Sequence, residues 1–145
     1  MFKHILMPTD GSAIAKKAIH NGMAFAKEIG AQVTGFHVMP VMPPYAYQAE
    51  MLADTQQRFD EECLSFANSF LAEVTHAATK AGVKCDTFCV TSDAPYQQII
   101  QAAQDSGCDL IAMASHGRSG IEDLFLGSQT QKVLTHSQIP VLVYR

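Results

Sequence analysis

The chain has 145 residues, of which 48% are hydrophobic and 17% charged, a balance that fits one compact domain over 1–145 and excludes a disordered chain. Its formal net charge of −4 argues against binding to nucleic acid or to an anionic membrane, because both require a surplus of cations. No apolar run approaches the roughly 20 residues of a bilayer-spanning helix, so we expect a cytoplasmic protein.

Apolar segments and helical segments alternate from the start of the chain. The first predicted strand is 4–7, and a helix follows that Ser12 caps. This helix runs to about Ile29, where Gly30 ends it. The second predicted strand is 32–39. The prolines at positions 40, 43 and 44 then predict an irregular surface loop.

A long amphipathic helix is predicted over about 49–81, and Gly82 closes it. Its apolar residues recur three or four positions apart: Phe59, Cys63, Phe66, Phe70, Val74 and Ala77. The acidic run Asp60, Glu61 and Glu62 is interpreted as a solvated face of this helix.

The last part of the chain continues the alternation. Asp93 is predicted to cap a helix that has Pro95 in its first turn and reaches about Ser106. The other predicted elements are strands at 83–90, 109–114 and 140–144 and a helix at about 128–137. Five strands with interposed helices predict an α/β fold, a doubly wound five-stranded parallel sheet with helices on both faces.

The four cysteines, at positions 63, 85, 89 and 108, show no C-x-x-C spacing. Neither a zinc site nor a thioredoxin-type dithiol is therefore indicated. We interpret all four as small apolar packing residues in a reducing cytosol.

Ligands of doubly wound sheets bind at the carboxyl ends of the strands. After the fourth strand, Gly117 and Gly120 allow close backbone approach, and Gly127 precedes a helix whose first N–H groups can bind phosphate. Ser128 and Thr130 offer hydroxyl donors, and Arg118 is a candidate cation. No Walker motif is present, and a mere turn with a helix cap at Gly127 and Ser128 stays an open alternative.

Asp10 follows the first strand and has two interpretations. Its carboxylate is placed to accept hydrogen bonds from ribose hydroxyls. Alternatively, it forms a local turn or caps the first helix. Tyr45 and Tyr47, in the proline-rich loop, either close over a ligand or have no role in binding.

Catalytic and metal-binding motifs are weak. His116 has no second histidine or carboxylate at ligand spacing, so no metal site is predicted. Ser115 and His116 are adjacent, which predicts that their side chains point apart, and no G-x-S-x-G elbow exists.

Two signatures resemble universal stress proteins. One is the opening run Ile5-Leu6-Met7-Pro8-Thr9-Asp10-Gly11-Ser12, which looks like the family's first strand and loop. The other is Met113-Ala114-Ser115-His116-Gly117, nine residues, Gly127-Ser128 and the closing Pro140-Val141-Leu142-Val143. The nucleotide-binding branch of the family carries G-x-x-G, nine residues, then G and S or T. Ala114 stands here in place of the first glycine.

The resemblance implies a Rossmann-like sheet of the adenine nucleotide alpha hydrolase type, with strand order 3-2-1-4-5. It implies that ATP or another adenine nucleotide is bound, with or without Mg²⁺, and that Asp10 holds the ribose or the adenine edge. Adenine would be lined by Pro8, Thr9, Val38 and Met113, and the phosphates by Ala114, Gly117, Gly127, Ser128, Gln129 and Thr130. It also implies a homodimer through the last strand, and the apolar edge of 141–144 agrees with that.

Three functions remain open. The first is a dimeric nucleotide-binding module in stress response or regulation. The second is a slow ATPase, although no general base or carboxylate cluster stands beside the phosphate loop. The third is a dimeric interaction module without nucleotide binding, which only Ala114 favours.

Overall fold

The computed structural model describes residues 1–43, 52–118 and 126–145, and side chains from 54 onward in the second of these segments. The interpretations of Tyr45, Tyr47 and Gly120, and the predicted helix start near 49, lie outside these residues. The elements in chain order are β1 (His4–Pro8), α1 (Ala13–Ile29), β2 (Gln32–Met39), α2 (Leu52–Ala81), β3 (Cys85–Thr91), α3 (Pro95–Asp105), β4 (Leu110–Ala114), α4 (Ser128–His136) and β5 (Val141–Tyr144).

The five strands form one parallel sheet in the order β3-β2-β1-β4-β5, which confirms the predicted fold class and strand order. The chain winds outward from β1 to β3 and then crosses back to place β4 on the other side of β1. Because the winding reverses between β1 and β4, their carboxyl ends open a crevice.

Helices cover both faces of the sheet, as predicted. Alternate strand residues such as Ile5 and Val33 pack against α1 and α2, in a cluster with Met23 and Val74. The opposite face packs against α3 and α4 through a second cluster: Leu6, Phe36, Ile99, Ala102, Ala103, Cys108, Ile111, Met113 and Val133. None of the helices in the described segments is long and apolar enough to cross a membrane.

The caps of α1 are as predicted. The Ser12 hydroxyl accepts a hydrogen bond from the N–H of Ala15, and Gly30 takes the left-handed conformation that ends the helix. After α2, the N–H of Val83 donates to the carbonyl of Ala78, which closes the helix terminus. For that reason β3 begins at Cys85 and not at the predicted position 83.

The predicted cap of α3 is wrong. The N-cap residue is Ala94, with Pro95 in the first turn, and Asp93 does not cap the helix. The free N–H of Tyr96 instead donates to the side-chain oxygen of Gln129, 3.0 Å away on α4. A residue 33 positions later thus supplies the cap that local sequence lacks.

Asp109 fixes β1 beside β4 at the amino edge of the sheet. Its carboxylate accepts hydrogen bonds from the N–H groups of Lys3, at 2.9 and 3.1 Å, and of His4, at 3.0 Å. Burial favours the neutral form of this carboxyl, but the backbone N–H donors outweigh it and hold the pKa of Asp109 below its usual value.

The cysteines are all free. Cys108 is buried in the core, where burial and the neighbouring Asp109 raise its pKa to about 11. Cys63, Cys85 and Cys89 are only half-buried. The interpretation as packing residues therefore describes Cys108 fully and the others in part.

Candidate functional site

A pocket of about 630 Å³ lies at the carboxyl edge of the sheet, between the ends of β1, β2 and β4 and the starts of α3 and α4. Its volume falls within the range typical of small-molecule sites, about 300–1,000 Å³. The pocket is lined by all eleven residues predicted from the sequence to bind a nucleotide: Pro8, Thr9, Asp10, Val38, Met113, Ala114, Gly117, Gly127, Ser128, Gln129 and Thr130. The fold therefore brings two loops more than 100 residues apart into one wall.

Further lining residues were not selected from sequence: Ala15, Phe36, His37, Pro95, Ile99 and Leu126. Phe36 shares a strand face with Val38, so the two-residue period of β2 was a usable signal for it. Pro95 and Ile99 belong to α3, and no local sequence pattern reveals that this helix lies at the pocket.

One side of the pocket is apolar. Phe36 and Val38 come from the end of β2, Met113 from the end of β4, and Ile99 from α3. Phe36 and Met113 are buried members of the core on that face. Such a wall suits a flat apolar ring, with its polar edges left to the strand-end loops.

Asp10 ties the two loops of the pocket together. One carboxylate oxygen accepts from the N–H of Ser12 at 3.0 Å, and the other from the N–H of Arg118 at 3.0 Å. The local-turn interpretation of Asp10 is therefore seen in the structure. A Cβ at Gly117 would overlap the second oxygen, so this position requires glycine. Each carboxylate oxygen keeps a further lone pair, so a ligand hydroxyl can still donate to Asp10.

Gly127 packs tightly on the loop after β4. Its N–H donates to the carbonyl of Ser115 at 2.7 Å, and an added Cβ would stand 2.9 Å from the Cα of His116. Gly127 is also the N-cap of α4 and offers no side-chain cap. The first turn of α4, at the pocket wall, therefore presents positive potential without a capping oxygen from this residue.

The side chains of the first turn of α4 have unequal freedom. Thr130 is buried, and its hydroxyl donates to the carbonyl of Ala114 at 2.9 Å. That hydroxyl has a single proton and directs it at the Ala114 carbonyl, so its donation to a ligand phosphate stays a prediction that requires the exchange of this hydrogen bond. Gln129 uses its oxygen to cap α3 and keeps its NH₂ group. The Ser128 side chain is exposed.

Ser115 and His116 contradict the prediction that their side chains point apart. The Ser115 hydroxyl lies 3.1 Å from Nδ1 of His116, within hydrogen-bond distance. Ser115 is nevertheless buried and does not line the pocket, whereas His116 does. A ligand in the pocket therefore does not meet this hydroxyl, and the pair does not form an accessible nucleophile.

An aromatic side chain supports the pocket from α2. The Phe70 ring fills the space beside Gly11, where a Cβ would overlap it. The Arg118 guanidinium stands 5.0 Å from the centre of this ring, and His37 meets it edge-on at 5.2 Å. Nδ1 of His37 lies 2.7 Å from the carbonyl of Thr9 and, because a carbonyl only accepts, carries the proton. Arg118 is thus a cation at the pocket wall, resting on Phe70.

Within the described ranges, no three histidine, cysteine or acidic residues come together in a group that could hold a metal ion. Asp10 is the one carboxylate among the described lining residues. The pocket wall, as far as the structure describes it, is therefore better suited to an organic anion than to a resident metal.

Comparison with known sequences gives consistent matches. The sequence profile of the universal stress protein family matches residues 1–145. The universal stress protein in the QAH/OAS sulfhydrylase 3′ region of Thermus aquaticus is 33% identical, with both chains covered in full. Universal stress protein MJ0531 of Methanocaldococcus jannaschii is 30% identical, over all of this chain and 83% of that protein.

Solved structures show the same fold. Protein MJ0577 of Methanocaldococcus jannaschii superposes with a TM-score of 0.82 at 28% identity, covering 99% of this chain and 95% of that one. A universal stress protein in complex with cAMP gives 0.72 at 21% identity, over 99% and 97% of the chains. An Arabidopsis thaliana family protein with AMP bound gives 0.68 at 15% identity, over 97% and 90%.

Proposed function

The chain belongs to the universal stress protein family, and we propose that it binds an adenine nucleotide, ATP in the first place, in the pocket at the carboxyl edge of the sheet. The observation that carries the proposal is the shape and lining of this pocket, an apolar wall beside an uncapped helix start. The cAMP and AMP complexes of two proteins with the same fold support the choice of adenine.

Adenine would lie against the apolar wall formed by Val38, Met113 and Ile99, with Pro8 and Thr9 at its edge. Asp10 would accept a hydrogen bond from a ribose hydroxyl through the lone pairs that its two backbone donors leave free. Because the carboxylate is already fixed by both loops, it needs little reordering when the ligand binds.

The phosphates would lie at the first turn of α4, where backbone N–H groups and the exposed Ser128 hydroxyl can donate. The loop at Gly117 and the NH₂ group of Gln129 border the same space. Arg118 supplies a cation beside it. The Ala114 carbonyl accepts a hydrogen bond from the Thr130 hydroxyl, so the Ala114 methyl group does not prevent the loop after β4 from packing against α4.

A Mg²⁺ ion that accompanied the nucleotide would be held mainly by phosphate oxygens and water, since the described part of the pocket wall offers one carboxylate and backbone donors engage both of its oxygens. Hydrolysis is not part of the proposal, because neither Asp10 nor the buried Ser115 hydroxyl is placed as a free base or nucleophile. We expect nucleotide occupancy itself to be the signal in a regulatory or stress-response role.

Ser128 gives the sharpest test. In Ser128→Asp, the new carboxylate at the start of α4 interacts favourably with the helix dipole but repels phosphate. The variant should therefore keep its folding stability and bind ATP weakly. We expect ATP affinity to fall about 100-fold, as for a charge pair placed in contact near a protein surface. Ser128→Asn has nearly the same shape without the charge and should bind ATP almost as wild type does. Isothermal titration calorimetry measures the ATP affinity, and thermal melting measures the folding stability.

Adenosine is the matched ligand control, because it lacks the phosphates. Its affinity should be the same for Ser128→Asp and for wild type. Equal loss of ATP and adenosine binding in Ser128→Asp would show that the phosphates lie elsewhere. If wild-type protein binds neither ligand at millimolar concentration, the proposed function is wrong.

We also propose a homodimer in which the β5 edges of two subunits meet. β5 is the last strand of the sheet, and Val141, Leu142, Val143 and Tyr144 are all only half-buried in the single chain. Burial of such an edge removes unpaired backbone groups and apolar side chains from water. Light scattering at micromolar concentration should give about twice the 15.8 kDa of one chain, and a monomer mass would contradict the dimer.

A further inference from the structure

His116 lies where the loop after β4 meets the start of α4. It lines the pocket and is partly buried. A Cβ built on Gly127, the N-cap residue of α4, would stand 2.9 Å from the Cα of His116 and 3.1 Å from its Cβ. The N–H of Gly127 also donates to the carbonyl of Ser115, at 2.7 Å. These contacts fix the backbone of His116 beside the first turn of α4, which is the proposed phosphate site.

A buried hydroxyl holds the His116 imidazole. Nδ1 of His116 lies 3.1 Å from the Ser115 hydroxyl oxygen. Ser115 is only 5% exposed, and among the described residues its hydroxyl has no other hydrogen-bond partner. A buried hydroxyl proton without an acceptor is costly, and Nδ1 is the acceptor that the described residues offer. The Ser115 hydroxyl therefore donates to Nδ1 of His116.

This hydrogen bond determines the tautomer of the neutral ring. A neutral imidazole carries one proton, and because Nδ1 accepts a hydrogen bond, the proton is on Nε2. The two ring nitrogens point in diverging directions. Ser115 does not line the pocket, whereas His116 does. The ring is thus anchored through Nδ1 on its buried side, which leaves the Nε2–H group as a donor for the pocket.

His37, also among the described lining residues, has the opposite tautomer. Its Nδ1 carries the proton, since it faces the carbonyl of Thr9 at 2.7 Å. Nε2 of His37 is therefore an acceptor, which does not pair with the oxygens of a phosphate group. The hydrogen-bond partners of the two histidines thus assign the donor role to His116 alone.

We propose that His116 binds a phosphate of the nucleotide, with its Nε2–H group donating to a phosphate oxygen and Ser115 acting as a positioning residue for the ring. The inference rests on the proposed function, because it requires a nucleotide in the pocket. The imidazole would add a side-chain donor to the backbone N–H groups of α4. A hydrogen bond to an ionised phosphate is stronger than one between neutral groups, so this donor should matter for affinity.

Two amide substitutions separate phosphate binding from structural support. In His116→Asn, the side-chain amide reaches about as far as Nδ1, so it keeps a partner for Ser115 and loses the phosphate donor. In His116→Gln, the amide reaches about as far as Nε2, so it keeps the phosphate donor and loses the contact with Ser115. Asparagine should be the better substitute if His116 only supports the loop, and glutamine if it binds phosphate.

ATP and adenosine affinities are measured by isothermal titration calorimetry at about pH 8, where histidine side chains are ordinarily neutral. We expect His116→Asn to bind ATP about tenfold more weakly than wild type, and His116→Gln to stay within about threefold. Adenosine lacks the phosphates, so its affinity should stay within about twofold of wild type in both variants. Ser115→Ala frees the ring and should weaken ATP binding by about threefold without affecting adenosine.

Heteronuclear NMR of the ring nitrogens tests the tautomer in wild-type protein without nucleotide, whether or not a variant folds. We expect the proton of neutral His116 on Nε2, and a mixture of tautomers in Ser115→Ala. A wild-type ring protonated on Nδ1, ATP binding by His116→Asn equal to wild type, or equal losses of ATP and adenosine binding would each overturn the inference. In those cases wild-type protein still binds ATP, whereas a wild type that binds neither ligand also refutes the proposed function.

Discussion

At the amino edge of the sheet, the glycines that follow α1, α2 and α3 have no atom within 4 Å of the place where a Cβ would stand. At the carboxyl edge, a Cβ at Gly11, Gly117 or Gly127 would meet Phe70, Asp10 or His116. The three glycines at the amino edge, Gly30, Gly82 and Gly107, serve only the backbone turn. The three at the carboxyl edge allow the loops to pack against side chains and against each other.

This difference bears on how the pocket is held. The amino edge is fixed by the Asp109 carboxylate, which binds two backbone N–H groups of the chain start. The carboxyl edge is fixed by contacts among loop residues, because Gly117 packs directly against Asp10 and Gly127 packs directly against His116. The pocket is therefore preformed by its own packing, which lowers the ordering cost of binding.

Gly11→Ala should be the most damaging of the substitutions considered. The residue has φ of +76°, and the added methyl group would overlap the Phe70 ring. The backbone strain and the overlap together should lower the free energy of unfolding by about 3 kcal/mol. Urea denaturation followed by circular dichroism measures this change.

Gly30→Ala is the matched control for that substitution. Its φ of +70° is nearly the same, but nothing stands near the new methyl group. We expect a loss of about 1 kcal/mol, from backbone strain alone. Equal losses in the two variants would show that the glycines at both edges serve only the turn.

Asp109→Ala tests the amino edge. The variant leaves the N–H groups of Lys3 and His4 without their charged acceptor, which should cost about 2 kcal/mol of unfolding free energy at pH 7. Because folding lowers the pKa of Asp109, its contribution is present above the ordinary pKa and is lost as the pH falls through the lowered value. The difference in unfolding free energy between wild type and Asp109→Ala should therefore shrink in acid. A difference that does not change with pH would show that the ionised Asp109 carboxylate is not the source of the stabilisation.

Gln129→Ala should have a small effect, about 1 kcal/mol, as expected for loss of a helix cap. The variant removes the oxygen that caps the N–H of Tyr96, so α3 should fray at its start. Hydrogen exchange at Tyr96, followed by NMR, locates the effect. Gln129→Glu keeps an acceptor oxygen and should retain most of the protection. Full protection in Gln129→Ala would mean that this cap does not stabilise α3.

The sequence predicts regular features well where the signal is local. The alternation of elements, the Ser12 cap and the Gly30 terminus are confirmed, because each depends on residues within a few positions. The cap of α3 was assigned wrongly to Asp93, since its true partner, Gln129, is on another helix. For the pocket, motif spacing located eleven lining residues, but whether they bind a nucleotide stays a prediction.

The roles of the side chains were harder to predict than their positions. The Thr130 hydroxyl was assigned to a ligand, and in the structure it binds the Ala114 carbonyl. The contact of Ser115 with His116 was missed because adjacent residues can meet when the chain leaves regular structure. Phe70 packs beneath Gly11 and so connects α2 to a loop about 60 residues earlier. The spacing of apolar residues along α2 does not predict this contact.

The central place of β1 has a consequence for synthesis. Its residue Ile5 pairs with Val33 on one side and with Leu110 on the other. At roughly 5–20 residues per second, the ribosome makes the second partner about 5–20 seconds after the first strand has appeared. During that interval one edge of β1 and the apolar side chains of Ile5 and Leu6 lack their final neighbours. The growing chain therefore carries an open, aggregation-prone strand edge for most of its time on the ribosome.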